Sequence, residues 1–257
     1  MFLLVTLQFN TGYSMWPLYT SISMFTLIFM FFMFLILNKS VFFSFLLILI
    51  SSALWFRDLV RESYFKGSQN MLMQTCLKLG MIFFILSEIF FFISFFWCYF
   101  HFMFMQSGEL GFQWPSKGIT AVNYLSVPLL NSLLLLSSGV SLTISHNLMS
   151  LDLKSFNLYL GLTILLGLLF SYCQYWEYLM LDFLWSDSSY GSIFFMGTGF
   201  HGLHVIIGST ILSVILIRDM MNHLLMDSMI FELGAWYWHF VDVIWIILFT
   251  EFYWWGK

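Results

Sequence analysis

From Leu79 to Met105 the sequence runs for twenty-seven residues with one Asp, Glu, Lys or Arg side chain, Glu88. About 20 mostly apolar residues suffice for a helix to cross the hydrocarbon core of a bilayer. A single segment in that core has to be helical, because no water is there to satisfy an open backbone. Six more stretches read the same way, so the candidate spans are Trp16–Leu37, Val41–Phe56, Leu79–Met105, Val127–Met149, Phe156–Met180, Ser192–Ile217 and Met229–Trp255. The expected fold is an all-α membrane protein with seven transmembrane helices, a single polytopic domain over residues 1–257.

Composition supports this. The chain is 61% hydrophobic and 9% charged, against about 25% charged in a soluble domain. Its net charge of −4 is spread out, and no basic patch points to nucleic acid. Cys76, Cys98 and Cys173 form no CxxC pair and are expected to be inert thiols. The first ten residues, MFLLVTLQFN, have no basic segment and no small-residue cleavage site, so no signal or transit peptide is expected.

The connections are short. Asn38-Lys39-Ser40 predicts a tight hairpin between the first two helices. The longest polar segments are Arg57–Lys78 and Gln106–Ser126, and Gly108, Gly111, Pro115 and Gly118 mark turns in the second. With seven spans, Arg57, Arg61, Lys66, Lys78, Lys154 and Arg218 fall on the N-terminal side, and Lys39, Lys117 and Lys257 on the other. The excess of basic residues places the N-terminus inside, in cytoplasm or mitochondrial matrix, and the C-terminus outside.

Ionisable residues within spans are costly and mark specific interior contacts. Glu88 is expected to be a proton-linked or interface-facing carboxyl, or one hydrogen-bonded to a neighbouring helix. His201 and His204 stand one turn apart on one helix face. That spacing suits a metal or haem, but two ligands do not close a site that needs about four. Gly197, Gly199, Gly202 and Gly208 nearby indicate close helix packing instead. The histidines are therefore expected to be structural.

His239 and Asp242 share that spacing, as an imidazole held by a carboxylate, as separate interhelical bonds, or as a proton relay. Gln174 and Glu177, near the end of the fifth span, suit interhelical hydrogen bonding. His101 and His146 lie at helix ends, where solvation accounts for them. Trp236, Tyr237, Trp238, Tyr253, Trp254 and Trp255 read as interfacial aromatic belts. Arg57, Asp58, Arg61 and Glu62 after the second span, and Arg218 after the sixth, suit phosphate headgroups.

Ordered motifs tie these residues to a known family. They include Trp16-Pro17-Leu18, Arg57-Asp58 with Arg61-Glu62-Ser63, Ser87-Glu88 with Phe95-Phe96-Trp97 and His101, and Glu109-Leu110-Gly111. They continue with Trp114-Pro115, Gly118-Ile119, Pro128-Leu129-Leu130-Asn131, and Gln174 with Glu177-Tyr178. The densest are Tyr190-Gly191-Ser192, Thr198-Gly199-Phe200-His201-Gly202-Leu203-His204-Val205, Trp236-Tyr237-Trp238-His239-Phe240-Val241-Asp242-Val243 and Trp254-Trp255-Gly256. With these the chain resembles the subunit III family of mitochondrial cytochrome c oxidase, over nearly its whole length.

The resemblance implies two helix groups, one to two and three to seven, around a lipid-holding cleft. It implies no catalytic residue, no metal and no redox cofactor on this chain, with haem and copper in partner subunits. It implies subunits I and II, accessory subunits and phospholipids as partners, in the mitochondrial inner membrane. The complex would oxidise cytochrome c, reduce oxygen to water and pump protons, while this subunit supports proton uptake and sustained turnover. Lipid contacts map onto Arg61, Glu62 and Arg218, with Trp55 and Phe56 nearby, and Glu88 matches the family's buried reactive carboxyl. Phe56, Ser116 and Asn147 depart from residues common in the family. A quinol oxidase subunit III is the close alternative, although it typically lacks the first two helices. An independent proton-coupled transporter using Glu88, His239 and Asp242 is a further alternative, but the sequence carries no inverted repeat.

Overall fold

In a computed structural model of the chain, residues 14–38, 40–66, 71–106, 113–151, 155–221 and 228–256 are described. Several positions singled out above lie outside them: Lys39, the Gly67–Asn70 connection, Gly108 to Gly111, Lys154 and Lys257. The helices are α1 Trp16–Leu37, α2 Phe42–Lys66, α3 Met71–Phe104, α4 Val127–Ser150, α5 Phe156–Met180, α6 Ser189–Met220 and α7 Ser228–Leu248. A π-helical segment, Phe249–Trp254, continues α7. Among the described residues, seven helices are long and apolar enough to cross a membrane.

Several helices run past the apolar stretches that announce them. α2 continues to Lys66, and α3 begins at Met71. Thus most of the polar Arg57–Lys78 segment is helical. Arg, Glu and Lys favour helix as well as Leu does, and hydropathy reports the part of a helix in hydrocarbon rather than its ends.

The chain divides into two compact units, residues 1–79 and 80–257. In the first, Pro17 sits in the opening turn of α1, where its missing N–H costs nothing. α1 ends at Asn38, whose left-handed backbone (φ 51°) lets its N–H reach the Phe34 carbonyl at 2.9 Å. Two polar contacts join α1 to α2. The hydroxyls of Ser23 and Ser51 bond at 3.2 Å, and the Trp16 indole N–H donates to Asp58 at 2.9 Å.

The second unit is organised around α7, the richest of these helices in buried aromatics. Trp238 is fully buried, and its indole N–H donates to Ser138 Oγ on α4 at 3.0 Å. A Cβ at Gly167 on α5 would come within 2.5 Å of the Trp238 ring, and one at Gly208 on α6 within 2.8 Å. Glycine at both positions is thus the space the indole occupies. Trp245, two turns on, donates to Ser132 on α4 at 3.1 Å and packs edge-on against Phe170 of α5.

This corrects the reading of the aromatic belts. Trp236, Trp254 and Trp255 are exposed, but Tyr237, Trp238 and Tyr253 are buried. Helical geometry turns alternate faces of one aromatic run inward and outward.

α4 presents Asn131, Ser138, Ser141 and Ser145 inward, all buried. Ser138 and Ser145 donate to carbonyls three residues back, and so does Ser141, which also meets Thr163 of α5 at 2.8 Å. Small hydroxyl residues satisfied this way let helices approach closely without water. α6 starts at Ser188, whose Oγ accepts from the Gly191 N–H at 3.1 Å. At the same end of the unit, the widened π turn leaves the Phe252 carbonyl to accept from the Tyr190 hydroxyl at 3.3 Å.

Filling the Trp238 hollow should therefore be costly. Gly167→Ala and Gly208→Ala are each expected to destabilise by about 1–3 kcal/mol, the usual range for overpacking. Gly161→Ala, where nothing lies within 4 Å of the new Cβ, should be near neutral. Thermal unfolding of the three variants tests this. Equal behaviour would show that the indole does not need the glycines.

Candidate functional site

Polar side chains inside the second unit come from α3, α4, α5, α6 and α7. Glu88 projects from α3 and His204 from α6, 116 positions apart, yet Glu88 Oε2 and His204 Nε2 meet at 3.0 Å. The His204 side chain is 11% exposed and that of Glu88 23%. Phe92 stands edge-on to the imidazole, and Tyr237 stacks beside it.

The proton count of this pair follows from its second contact. His204 Nδ1 lies 2.6 Å from the Phe200 carbonyl. A carbonyl only accepts, so Nδ1 carries a hydrogen. The 3.0 Å contact at Nε2 then needs one more proton, on the carboxyl or on Nε2. In both forms the pair has zero net charge. It is a one-proton hydrogen bond that can shift between two atoms without placing an unbalanced charge in the membrane.

His201, one turn earlier on α6, is fully buried. Its Nε2 donates to the Val241 carbonyl at 3.2 Å, while Phe170 and Trp245 flank the ring. The two histidines therefore serve different partners and do not converge on a common point.

His239 and Asp242 are not a hydrogen-bonded pair. Their closest approach, Nδ1 to Oδ2, is 3.9 Å, beyond hydrogen-bond reach. Asp242 is buried, and a Cβ at Gly139 of α4 would lie 2.7 Å from its Oδ2. α4 thus makes room for the carboxyl by carrying no side chain there. A cavity of about 270 Å³ is lined by His146, Asn147, Glu232, Trp236 and His239, among others. His146 is exposed and stacks on Phe231.

Glu177 is buried near the end of α5, beside Gln174, whose Oε1 accepts from Asn131 Nδ2 of α4 at 3.4 Å. The neighbouring Tyr178 hydroxyl donates to Thr198 of α6 at 2.7 Å. Of the residues matched to lipid contacts, Arg61, Glu62 and Phe56 are exposed and Trp55 is half-buried, all on α2. Arg218 is half-buried in the last turn of α6, where a cation complements the helix dipole. Among the described residues, no three His, Cys, Asp or Glu side chains converge as a metal site would require, and the three cysteines are free.

Sequence spacing could not pair Glu88 with His204, because the contact joins distant helices. Gly139 and Gly167 carry no signal in the sequence for a related reason: a glycine in a span acquires meaning only once the side chain opposite it is known. Asn131 is legible as a motif member and Tyr253 as an aromatic-belt residue, but neither as part of the Glu177 surroundings.

These features define a class: a polytopic α-helical membrane protein with specific polar contacts between helices, and aromatic rings fitted against glycines. Comparison with known proteins takes this further. Residues 9–257 match the family model described as cytochrome c oxidase subunit III. The chain belongs to the cytochrome c oxidase subunit III family. It is 50% identical over 205 residues to cytochrome c oxidase subunit 3 of Oryctolagus cuniculus, covering 79% of this chain and 78% of the relative. To the protein of the same name from Myxine glutinosa it is 46% identical over 222 residues, covering 86% and 85%. To that of Danio rerio it is 47% identical over 214 residues, covering 82% of each chain.

Glu88→Leu leaves His204 Nε2 without its partner and should cost about 1–3 kcal/mol. Glu88→Gln keeps a donor for Nε2 and should cost less. Thermal unfolding of both variants tests the pair, and equal losses would show that the hydrogen bond contributes nothing.

Proposed function

We propose that this chain is a non-redox core subunit of cytochrome c oxidase. The observation that carries the reading is the family match across residues 9–257. In this reading the haem and copper centres lie in partner subunits. The complex oxidises cytochrome c, reduces oxygen to water and pumps protons. The chain packs with subunits I and II and accessory subunits in the mitochondrial inner membrane, as one multi-pass domain. The surplus of Lys and Arg on the N-terminal side supports a matrix N-terminus and a C-terminus in the intermembrane space.

The chain's own part is support. The Glu88–His204 bond holds a proton between α3 and α6 at no net charge, so it joins two helices without leaving an unbalanced charge. That suits a subunit which sustains proton uptake and turnover rather than one which reduces oxygen. Two structural features favour the oxidase over a free-standing transporter. Glu88, His239 and Asp242 make separate contacts rather than one relay, and the α1–α2 hairpin is present, which also disfavours a quinol oxidase subunit III.

Phospholipid is the remaining expected ligand. Arg61, with Glu62, Trp55 and Phe56 on α2, and Arg218 on α6 would each meet lipid headgroups and acyl chains. A guanidinium at a membrane-facing helix end matches a phosphate in both charge and geometry.

Purification by a tag on this chain should bring down haem-bearing subunits in constant ratio. A chain that migrates alone, with transport activity, would contradict the assignment. Within the purified complex, the Arg61→Ala, Arg218→Ala double variant should carry less phospholipid phosphorus than the parent. Unchanged phosphorus would remove these arginines from the lipid sites.

A further inference from the structure

We infer that the end of the second unit formed by the N-terminus of α4, the C-terminus of α5 and the π turn holds an internal water site centred on Glu177. Two independent observations support this. The first is a set of buried polar atoms without partners among the described residues: Asn131 Oδ1, Gln174 Nε2, Glu177 Oε1 and Oε2, and the Tyr253 hydroxyl. Their residues are 0%, 5%, 3% and 1% exposed, in that order. They form one group. Asn131 and Gln174 are bonded through their other amide atoms, and the Tyr253 hydroxyl lies close to both Glu177 and Gln174 without hydrogen-bond geometry to either. A buried polar group without a partner is costly, and five together call for a common ligand.

The second observation is a cavity of about 330 Å³ that Glu177 itself lines, with Thr120, Asn123, Ser126, Trp176 and Asp182 among its other walls. At its rim the Thr120 hydroxyl donates to Asp182 Oδ2 at 3.3 Å. The cavity thus runs from the surface loop to a wall that Glu177 helps to form, and it is large enough for several waters at about 30 Å³ each.

The chemistry of the unpaired atoms selects the ligand. Glu177 and Asn131 offer acceptors, Gln174 offers an N–H donor, and Tyr253 is both. Turning both amides over exchanges the free atoms of Asn131 and Gln174, but one donor and one acceptor still remain. A bare cation would meet the amide N–H head-on, and an anion would meet the carboxyl. Water alone complements the mixture. Buried waters make about three hydrogen bonds each, so about two waters account for the five atoms.

Neighbouring aromatic groups at this end of the unit close on direct contacts. The Tyr190 hydroxyl reaches the Phe252 carbonyl, and the Trp114 indole N–H donates to the Tyr99 hydroxyl at 3.2 Å. Tyr253, as buried as Tyr190, is the tyrosine here that turns to water.

Two measurements on the intact complex test this. A density map sharp enough for ordered solvent should show water bonded to Glu177 and Tyr253. Direct closure of the five atoms on one another, or an ion at metal–oxygen distance, would overturn the inference. Radiolytic hydroxyl-radical labelling, which marks side chains beside bound water, should modify Tyr253 several-fold more than the equally buried Tyr190. That excess should be lost in Glu177→Leu and kept in Glu177→Gln. Equal labelling of the two tyrosines in the parent complex would overturn it as well, and this comparison needs no variant to fold.

Discussion

Trp238 is the contact on which the second unit depends. Its indole fills a hollow that exists because Gly167 and Gly208 carry no side chains, and its N–H ends on Ser138. One side chain of α7 thereby fixes the approach of α4, α5 and α6 at once. In a bilayer the hydrophobic effect does little to hold helices together, so packing and interhelical hydrogen bonds have to. A large ring fitted against glycines, with its one polar atom satisfied, supplies both.

The polar sites follow from that placement. With α7 held in this register, Tyr237 stacks on His204 and the Val241 carbonyl receives His201. Asp242 faces Gly139 on α4. The Glu88–His204 bond then forms between α3 and α6 as a neutral unit. Each of these groups would be costly alone in hydrocarbon. Together they give the helices a specific mutual arrangement that apolar side chains would specify less sharply.

Much of the fold was legible because the bilayer simplifies the problem. Long uncharged runs such as Leu79–Met105 have one structural outcome, and each of the seven stretches lies largely within a helix. What hydropathy does not carry is where a helix stops: Arg57 to Lys66 is polar and helical at once. The site was legible as a set of residues, not as a set of contacts. Spacing suggested His239 with Asp242, which stand too far apart to bond, and said nothing of Glu88 with His204. Tyr237, Trp238 and Tyr253 looked interfacial because a strip of aromatics gives no sign of which rings face glycine.

In the proposed function this chain is a supporting subunit, its interior holding helices and protons in place while redox chemistry proceeds in partner subunits. Selective removal of the chain from the assembled complex tests that claim most directly, with haem content, initial oxygen reduction and activity over many turnovers read on the same sample. The account predicts that haem and initial rate persist while sustained activity declines. Immediate loss of haem or of initial electron transfer would contradict it.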